Sequence, residues 1–316
     1  MAGRKLDIAI IVPVYNAEKY LARCVESVIK ALDNYDGDGE ILLIDNNSKD
    51  NSPKIAKDFE MKYPQIVKCH KCTTPGAGAA RNYAVPKVNA RYFWFVDADD
   101  EISVDSIQKL MSEADRTKAD FIMLGLVKVY PDGHREKIPA FSPQKADFKS
   151  RFIRSELGPV QVLIKKAWYE KNEFKFMEGR IHEDMEMMPA LMLYTDNISA
   201  INEPLYIYYQ NPDSTLHKLE WDEHYYDIFP ALEGLYARFN KAGAARKYHD
   251  ELEWFFIWNL LMDSAEYYGK FSEGRAGLKK SRAMLKEYFP HWYKNKFLKN
   301  TNLKTRTKII LNYLKV

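Results

Sequence analysis

Residues 91–100 read RYFWFVDADD: Tyr92, Phe93, Trp94, Phe95 and Val96 in succession, then Asp97, Asp99 and Asp100 around Ala98. A run of large apolar residues predicts a strand buried on both faces of a parallel sheet. Carboxylates placed straight after such a strand repel one another and stay solvated unless a cation sits among them. Oxygen ligands on a loop favour a hard divalent ion, Mg²⁺ or Mn²⁺, which in turn can hold a diphosphate. Taken alone, the segment reads equally well as an acidic strand-end turn, because Asp is a common turn residue. The flanking chain has to discriminate.

Upstream, the chain alternates between two periods. Residues 8–12 (IAIIV) form a β-branched run, and 40–44 (EILLI) a second buried run after Gly37 and Gly39. Between them Leu21, Val25, Val28 and Ile29 recur at helical spacing. Residues 50–63 predict a helix, 66–70 a third strand and 78–85 another helix. The run 92–96 is the fourth strand, and 103–114 a helix with Ser103 as its cap. Strand and helix alternating on short connections predict an α/β, doubly wound, mostly parallel sheet, with ligands outside the carboxyl ends of the strands. Polar clusters stand at those ends: Pro13-Val14-Tyr15-Asn16, Asp45-Asn46-Asn47-Ser48 and Asp97-Ala98-Asp99-Asp100. Each alone is turn chemistry; three at one sheet edge predict a nucleotide-type pocket.

Beyond residue 115 the pattern loosens. Strands are expected at 119–130, 158–165 and 205–209, and a helix at 183–194. After Trp221 the chain is largely helical, and Trp254, Phe255, Ile257, Trp258, Leu261 and Met262 read as a core stripe. This predicts a ligand-binding domain over 1–220 and a helical C-terminal extension over 221–316.

Composition sets the outer bounds. A net charge of +3 over 316 residues provides no global field for nucleic acid. The three cysteines suit a reducing compartment, and Cys69 and Cys72 have no second pair to complete a zinc site. No signal peptide or membrane span is expected. From residue 288 onward there are seven Lys or Arg and no acidic residue, interleaved with Phe297, Leu298, Ile309, Ile310, Leu311 and Leu314. Such a tail suits either peripheral contact with an anionic membrane or a packed helix with a solvated basic face.

In this order, IVPVYN, LLIDNNSKDNS, PGAGAARN, FVDADD and EGRIHEDME resemble the family-2 glycosyltransferases of GT-A fold, closest to bacterial enzymes of surface polysaccharide or lipooligosaccharide synthesis. The resemblance covers about two thirds of the chain. It implies an inverting transferase with a nucleotide-sugar donor, UDP-hexose or UDP-N-acetylhexosamine, and a glycan or lipid-linked glycan acceptor, working in the cytoplasm at the inner face of the membrane. Tyr15 would stack on the base beside Pro13, Val14 and Asn16. Asn46, where the family carries a second acidic residue, would accept from uracil, and Asp45 would organise the loop. Gly76 would admit the ligand to the backbone, Arg81 would bind base or phosphate, and Asp97 with Ala98 would lie near the ribose. Asp99 and Asp100 would hold the metal, Mn²⁺ or Mg²⁺. Asp184 would be the general base, supported by Glu183, although an acidic pair also satisfies a helix N-terminus. In the segment YQNPDSTLH at 209–217, Ser214 would bind phosphate and His217 would complete the metal shell.

A sugar nucleotidyltransferase shares the sheet and a metal-binding Asp pair but brings a Gly-rich triphosphate loop after the first strand, where Pro13-Val14-Tyr15-Asn16 stands. A non-catalytic scaffold of the same fold is the other alternative; the joint presence of Asp97, Asp99 and Asp184 argues against it.

Overall fold

The computed structural model describes residues 5–211 and 221–314. The chain forms two compact units: Met1–Phe148, Gly158–Arg180 and Thr195–Lys218 in the first, and Lys149–Leu157, Ile181–Tyr194 and Leu219–Val316 in the second.

The first unit is built on strands β1 (Leu6–Val14), β2 (Gly39–Asp45), β3 (Val67–Lys71), β4 (Ala90–Phe95), β5 (Glu101–Ile102), β6 (Phe121–Val129), β7 (Arg135–Ile138), β8 (Val162–Lys165) and β9 (Ile198–Tyr209). Their order is β3-β2-β1-β4-β8-β6-β9-β5, with β7 paired to β6. The strands β3, β2, β1 and β4 are mutually parallel, as are β6 and β9, while β8 runs antiparallel between β4 and β6. The sheet is therefore mixed and mostly parallel, flanked by α1 (Leu21–Asp33), α2 (Ser52–Lys62), α3 (Ala77–Ala84) and α4 (Ser106–Thr117).

The buried runs explain the order. Ile8 to Val12 and Phe93 to Val96 are each fully excluded from solvent, and burying a side chain of that size stabilises by about 1.5–3 kcal/mol. The polar tips of the β4 aromatics are satisfied inside: Trp94 donates to the Val160 carbonyl at 2.7 Å and Tyr92 to that of Ala119 at 2.9 Å. Helix α1 buries Leu21, Cys24, Val25, Val28 and Leu32, a spacing of three and four that lays one face on the sheet.

Several expectations need adjusting. The helix placed at 103–114 begins at Ser106, with Asp105 in the cap position and Ser103 donating to the Asp105 carboxylate at 2.8 Å. The strand expected at 205–209 is the end of a twelve-residue β9. The short strands β5 and β7 carry too few residues for a period to register.

The second unit contains α7 (Glu183–Met187), α8 (Ile228–Lys241), α9 (His249–Trp258), α10 (Ser264–Tyr268), α11 (Arg275–Tyr288), α12 (Lys296–Asn300) and α13 (Leu303–Leu314); α5 (Phe148–Ile153) lies mostly in it, and α6 (Lys166–Lys171) belongs to the first unit. Segment 181–194, which the sequence reading assigns to the 1–220 domain, groups with the C-terminal helices. The reason lies in packing: Arg238 on α8 pairs with Glu186 on α7 at 2.7 Å. The aromatic stripe is core as expected, with Trp254, Phe255, Ile257 and Leu261 buried. A π-helical turn at Asn259–Asp263 separates α9 from α10. Asn295 joins α9 to α12, donating to the Asp250 carbonyl and the Glu253 carboxylate while accepting from the Phe297 and Leu298 N–H groups of α12. Among the described residues no helix is long and apolar enough to cross a membrane.

Candidate functional site

Parallel pairing brings the three polar clusters to one edge of the first unit. Val14 is in register with Asp45, and Ile11 with Phe95, so the residues after β1, β2 and β4 leave the sheet side by side. Hydrogen bonds then join these loops. The Asn46 N–H donates to the Val14 carbonyl at 2.8 Å, and the Asn16 N–H to the Ser48 hydroxyl at 3.1 Å. Asn16 returns the contact, its side chain accepting from the Lys49 N–H at 2.8 Å. Asn16 and Asn47 both hold positive φ, 48° and 65°. Asn tolerates that region better than most residues, and the strain is held by the loop contacts. Tyr15 leaves this frame 63% exposed, an open aromatic residue beside half-buried Pro13 and buried Val14.

Asn46 behaves differently from its expected role at a base edge. Only 4% of it is exposed. Its amide nitrogen donates to the Cys72 and Thr74 carbonyls at 3.2 and 2.7 Å, and its oxygen accepts from the Gly76 N–H at 2.8 Å. The side chain is thus spent on shaping the loop after β3. Asp45 accepts from the Ser48 N–H at 3.2 Å, a loop-organising contact. Gly76 has φ of 100°, and a Cβ there would lie 3.2 Å from the backbone nitrogen of Gly179. Both observations require glycine.

Arg81 on α3 is 4% exposed, with its guanidinium against the Phe95 and Phe176 rings. Its Nη2 donates to the Asp97 carboxylate at 3.2 Å. A buried cation therefore faces the first aspartate of the cluster, where the sequence reading directs Arg81 to the ligand itself.

Asp97, Ala98, Asp99 and Asp100 form a tight turn in which the Asp100 N–H donates to the Asp97 carbonyl at 3.1 Å. The three carboxylates have different surroundings. Asp97 is half-buried, with its side chain partly open to solvent. Asp99 is half-buried and accepts from the Asn211 amide at 3.1 Å. Burial first, and the neighbouring Asp97 second, raise its carboxyl above the ordinary carboxylate range. Asp100 has no exposure, and its two oxygens take hydrogen bonds from the Tyr206 hydroxyl at 2.6 Å and the Tyr209 N–H at 2.8 Å. Its carboxyl is pushed up to about 8 by burial and then by Asp97 and Asp99. Asp100 is accordingly an internal brace, leaving Asp97 and Asp99 as the carboxylates on the open side of the turn. Oxygen donors that repel one another in a partly desolvated turn fit a hard divalent cation, which would relieve both penalties.

Four residues at this turn escape the sequence reading. Arg23 on α1 donates from Nη2 to the Asp99 carbonyl at 2.7 Å, lies 3.8 Å over the Tyr209 ring, and pairs with Glu101 at 3.0 Å. Tyr206, Tyr209 and Asn211 arrive from β9 and the residues after it. The YQN of the 209–217 segment is a partial signal for Tyr209 and Asn211; Arg23 and Tyr206 have none. Ser214 and His217 lie outside the described residues.

In the second unit, His182 caps α7 with φ of 62°, followed by Glu183 and Asp184 in the first turn. The His182 Nε2 is sealed from solvent and has no hydrogen-bond partner, and its ring meets the edge of Tyr225. Burial lowers its pKa to about 4, against a smaller opposing pull from Asp227. The imidazole is neutral at pH 7, in keeping with a structural role.

Residues 9–171 match the family model described as Glycosyl transferase family 2. The chain belongs to this family. It is a glycosyltransferase, with the GT-A architecture expected from its motifs. Among its relatives is an uncharacterized glycosyltransferase, EpsJ of Bacillus subtilis, 27% identical over 256 residues, 76% of this chain and 72% of EpsJ. The minor teichoic acid biosynthesis protein GgaA of the same organism is 32% identical over 130 residues, 40% of this chain and 29% of GgaA. Among solved structures, residues 1–349 of Staphylococcus aureus TarS superimpose with a TM-score of 0.69 at 19% identity, covering 97% of this chain and 89% of that one. The same TarS fragment is also known in complex with UDP-GlcNAc.

Proposed function

We propose that this family-2 enzyme transfers a sugar from a UDP-linked donor, a hexose or N-acetylhexosamine, to a hydroxyl of a cell-surface glycan or lipid-linked glycan, with inversion at the anomeric carbon. The observation that carries the donor half is the Asp97–Asp99 turn beside the exposed Tyr15 ring: an acidic pair that calls for a cation, next to an open aromatic face for a base. The UDP-GlcNAc complex of TarS supports a UDP-sugar. The name of GgaA supports a surface polymer as acceptor. The proposal includes a cytoplasmic location at the inner face of the cell membrane.

In this reading Tyr15 stacks on the base, with Pro13, Val14 and Asn16 around it. Asp45, Asn46 and Gly76 shape the wall, and Asp97 and Ala98 border the ribose. Asp97 and Asp99 would hold Mn²⁺ or Mg²⁺, with Asp100 behind them, and His217 and Ser214 are candidate contacts to metal and phosphate. A bound divalent ion supplies charge for the diphosphate as it departs. Asp184 takes the proton of the acceptor hydroxyl while its oxygen bonds to the anomeric carbon and the bond from that carbon to the diphosphate oxygen breaks. Glu183 stands beside it in the first turn of α7 as its support.

The test is a panel of UDP-, GDP- and dTDP-sugars with Mn²⁺, read by thermal shift, followed by transfer assays with Asp184→Asn. Stabilisation by UDP-sugars, and a variant that still binds UDP but no longer transfers, is expected. Unchanged turnover in that variant removes Asp184 as the base, and no stabilisation by any donor returns the scaffold reading.

A further inference from the structure

Helix α13, Leu303–Leu314, is apolar on two opposite sides. One side is packed: Ile309 is fully buried, Asn312 donates to the Leu261 carbonyl at 2.7 Å, and Tyr313 meets Trp292 at 4.9 Å between ring centres. The other side carries Leu303, Thr307, Ile310, Leu311 and Leu314, recurring at intervals of three and four, so they form one stripe. Its large side chains are open to solvent: Leu303 is 70% exposed, Ile310 41%, Leu311 53% and Leu314 61%. Scattered single exposures need no explanation, but four on one helix face do.

Cations flank the stripe. Lys304 stands on one side and Arg306 on the other, and Lys308 pairs with Glu266. Exposed Lys294 and Lys299 and the 54% exposed Tyr293 lie just upstream. No acidic residue occurs from 288 to 314. We propose that this face of α13 docks in the plane of an anionic phospholipid bilayer, with the four apolar side chains entering the headgroup boundary and Lys304 and Arg306 meeting lipid phosphates. At about 18 Å the helix is too short to span a bilayer but long enough to lie in its surface.

Charge selects this occupant. A second copy set face to face would bring Lys304 and Arg306 against their own equivalents, with no carboxylate in the segment to pair them. A soluble polyanion would answer the cations but leave the apolar stripe in water. An anionic membrane answers both, and the stripe and charges together give the two signals that stable peripheral binding requires. The proposal concerns the second unit alone and does not depend on which donor the enzyme takes.

The test is co-sedimentation of the full chain with vesicles of phosphatidylcholine alone, and of about one part phosphatidylglycerol to two parts phosphatidylcholine, at about 0.1 M salt. Binding to the anionic vesicles only is expected. Ile310→Ser/Leu314→Ser and, separately, Lys304→Glu/Arg306→Glu should each weaken it about tenfold or more, with the thermal midpoint unchanged because none of the four residues is buried. The proposal is overturned by three results. One is absence of binding to anionic vesicles. Another is full retention by the serine variant, which marks a purely electrostatic polyanion site. The third is a concentration-dependent dimer, seen by light scattering and abolished by that same variant, which marks a second copy as the occupant.

Discussion

The Tyr206 hydroxyl lies 2.6 Å from the Asp100 carboxylate, across a separation of 106 residues, and the same oxygen accepts from the Asp97 N–H at 3.1 Å. One buried phenol therefore ties the far strand of the sheet to both ends of the acidic turn. Burial and the adjacent aspartates push the Tyr206 hydroxyl far above the ordinary range, so it remains a donor at any working pH. Tyr206→Phe leaves a buried carboxylate and a backbone amide each short of a partner. The expected cost is about 1–3 kcal/mol, measured by urea denaturation, with a parallel fall in kcat/KM. Stability and turnover both equal to the parent would show that the turn holds itself.

Arg23 should matter through Asp99, whose carbonyl it holds at 2.7 Å while lying over Tyr209. Contacts behind a metal ligand typically change metal affinity by about 10–100-fold. Arg23→Ala is expected to raise the Mn²⁺ concentration needed for half-maximal transfer by at least about tenfold, with activity returning in part at saturating metal. Arg23→Lys should recover less than half of the loss, because an ammonium does not reproduce a planar group stacked on a ring.

Asn46 is a buried amide whose nitrogen donates to two carbonyls. Asn46→Asp places a carboxylate oxygen against those carbonyls and removes both donors. A loss of about 2 kcal/mol in thermal or chemical unfolding is expected. A neutral or stabilising result would mean that the 72–76 loop has another arrangement within easy reach.

Acid should weaken the fold through His182. Its folded pKa of about 4 lies below the ordinary value of 6.5. The unfolded chain therefore binds the extra proton first, and the contribution is fully present above pH 6.5 and lost as pH falls towards 4. The shift corresponds to roughly 3 kcal/mol at most. His182→Asn keeps a residue that tolerates positive φ and removes the titration. Urea midpoints at pH 7 and pH 4.5 should then differ less in the variant than in the parent; equal differences would clear His182 of the effect.

Gly234 on α8 lies against Glu186, two residues past Asp184: a Cβ at 234 would fall 2.7 Å from the Glu186 carboxyl carbon. Gly234→Ala must push the Glu186 carboxylate aside and disturb its pair with Arg238, a cost of about 1 kcal/mol. Under the proposed roles, with the donor residues assigned to the first unit and Asp184 to acceptor activation, kcat should fall with the donor KM little changed. A rise in donor KM at constant kcat would contradict the assignment of Asp184 to the acceptor side.

Local period and strand-end chemistry are enough to lay out the framework of the site. Residues 8–12, 40–44 and 92–96 satisfy their apolar runs as buried strands, so the edge carrying Tyr15, Asp45 and Asp97 to Asp100 follows almost directly. Which groups meet there depends on contacts between residues far apart in the chain. Periodicity reports that a side chain is buried but not against whom, so nothing local announces that Tyr206 and Arg23 brace the acidic turn. Nor does it announce that Asn46 is consumed by the loop after β3, or that Arg81 faces Asp97. The same limit applies to α13: the sequence holds both of its apolar faces, and only packing against Leu261 and Trp292 separates the one that is core from the one left facing outward.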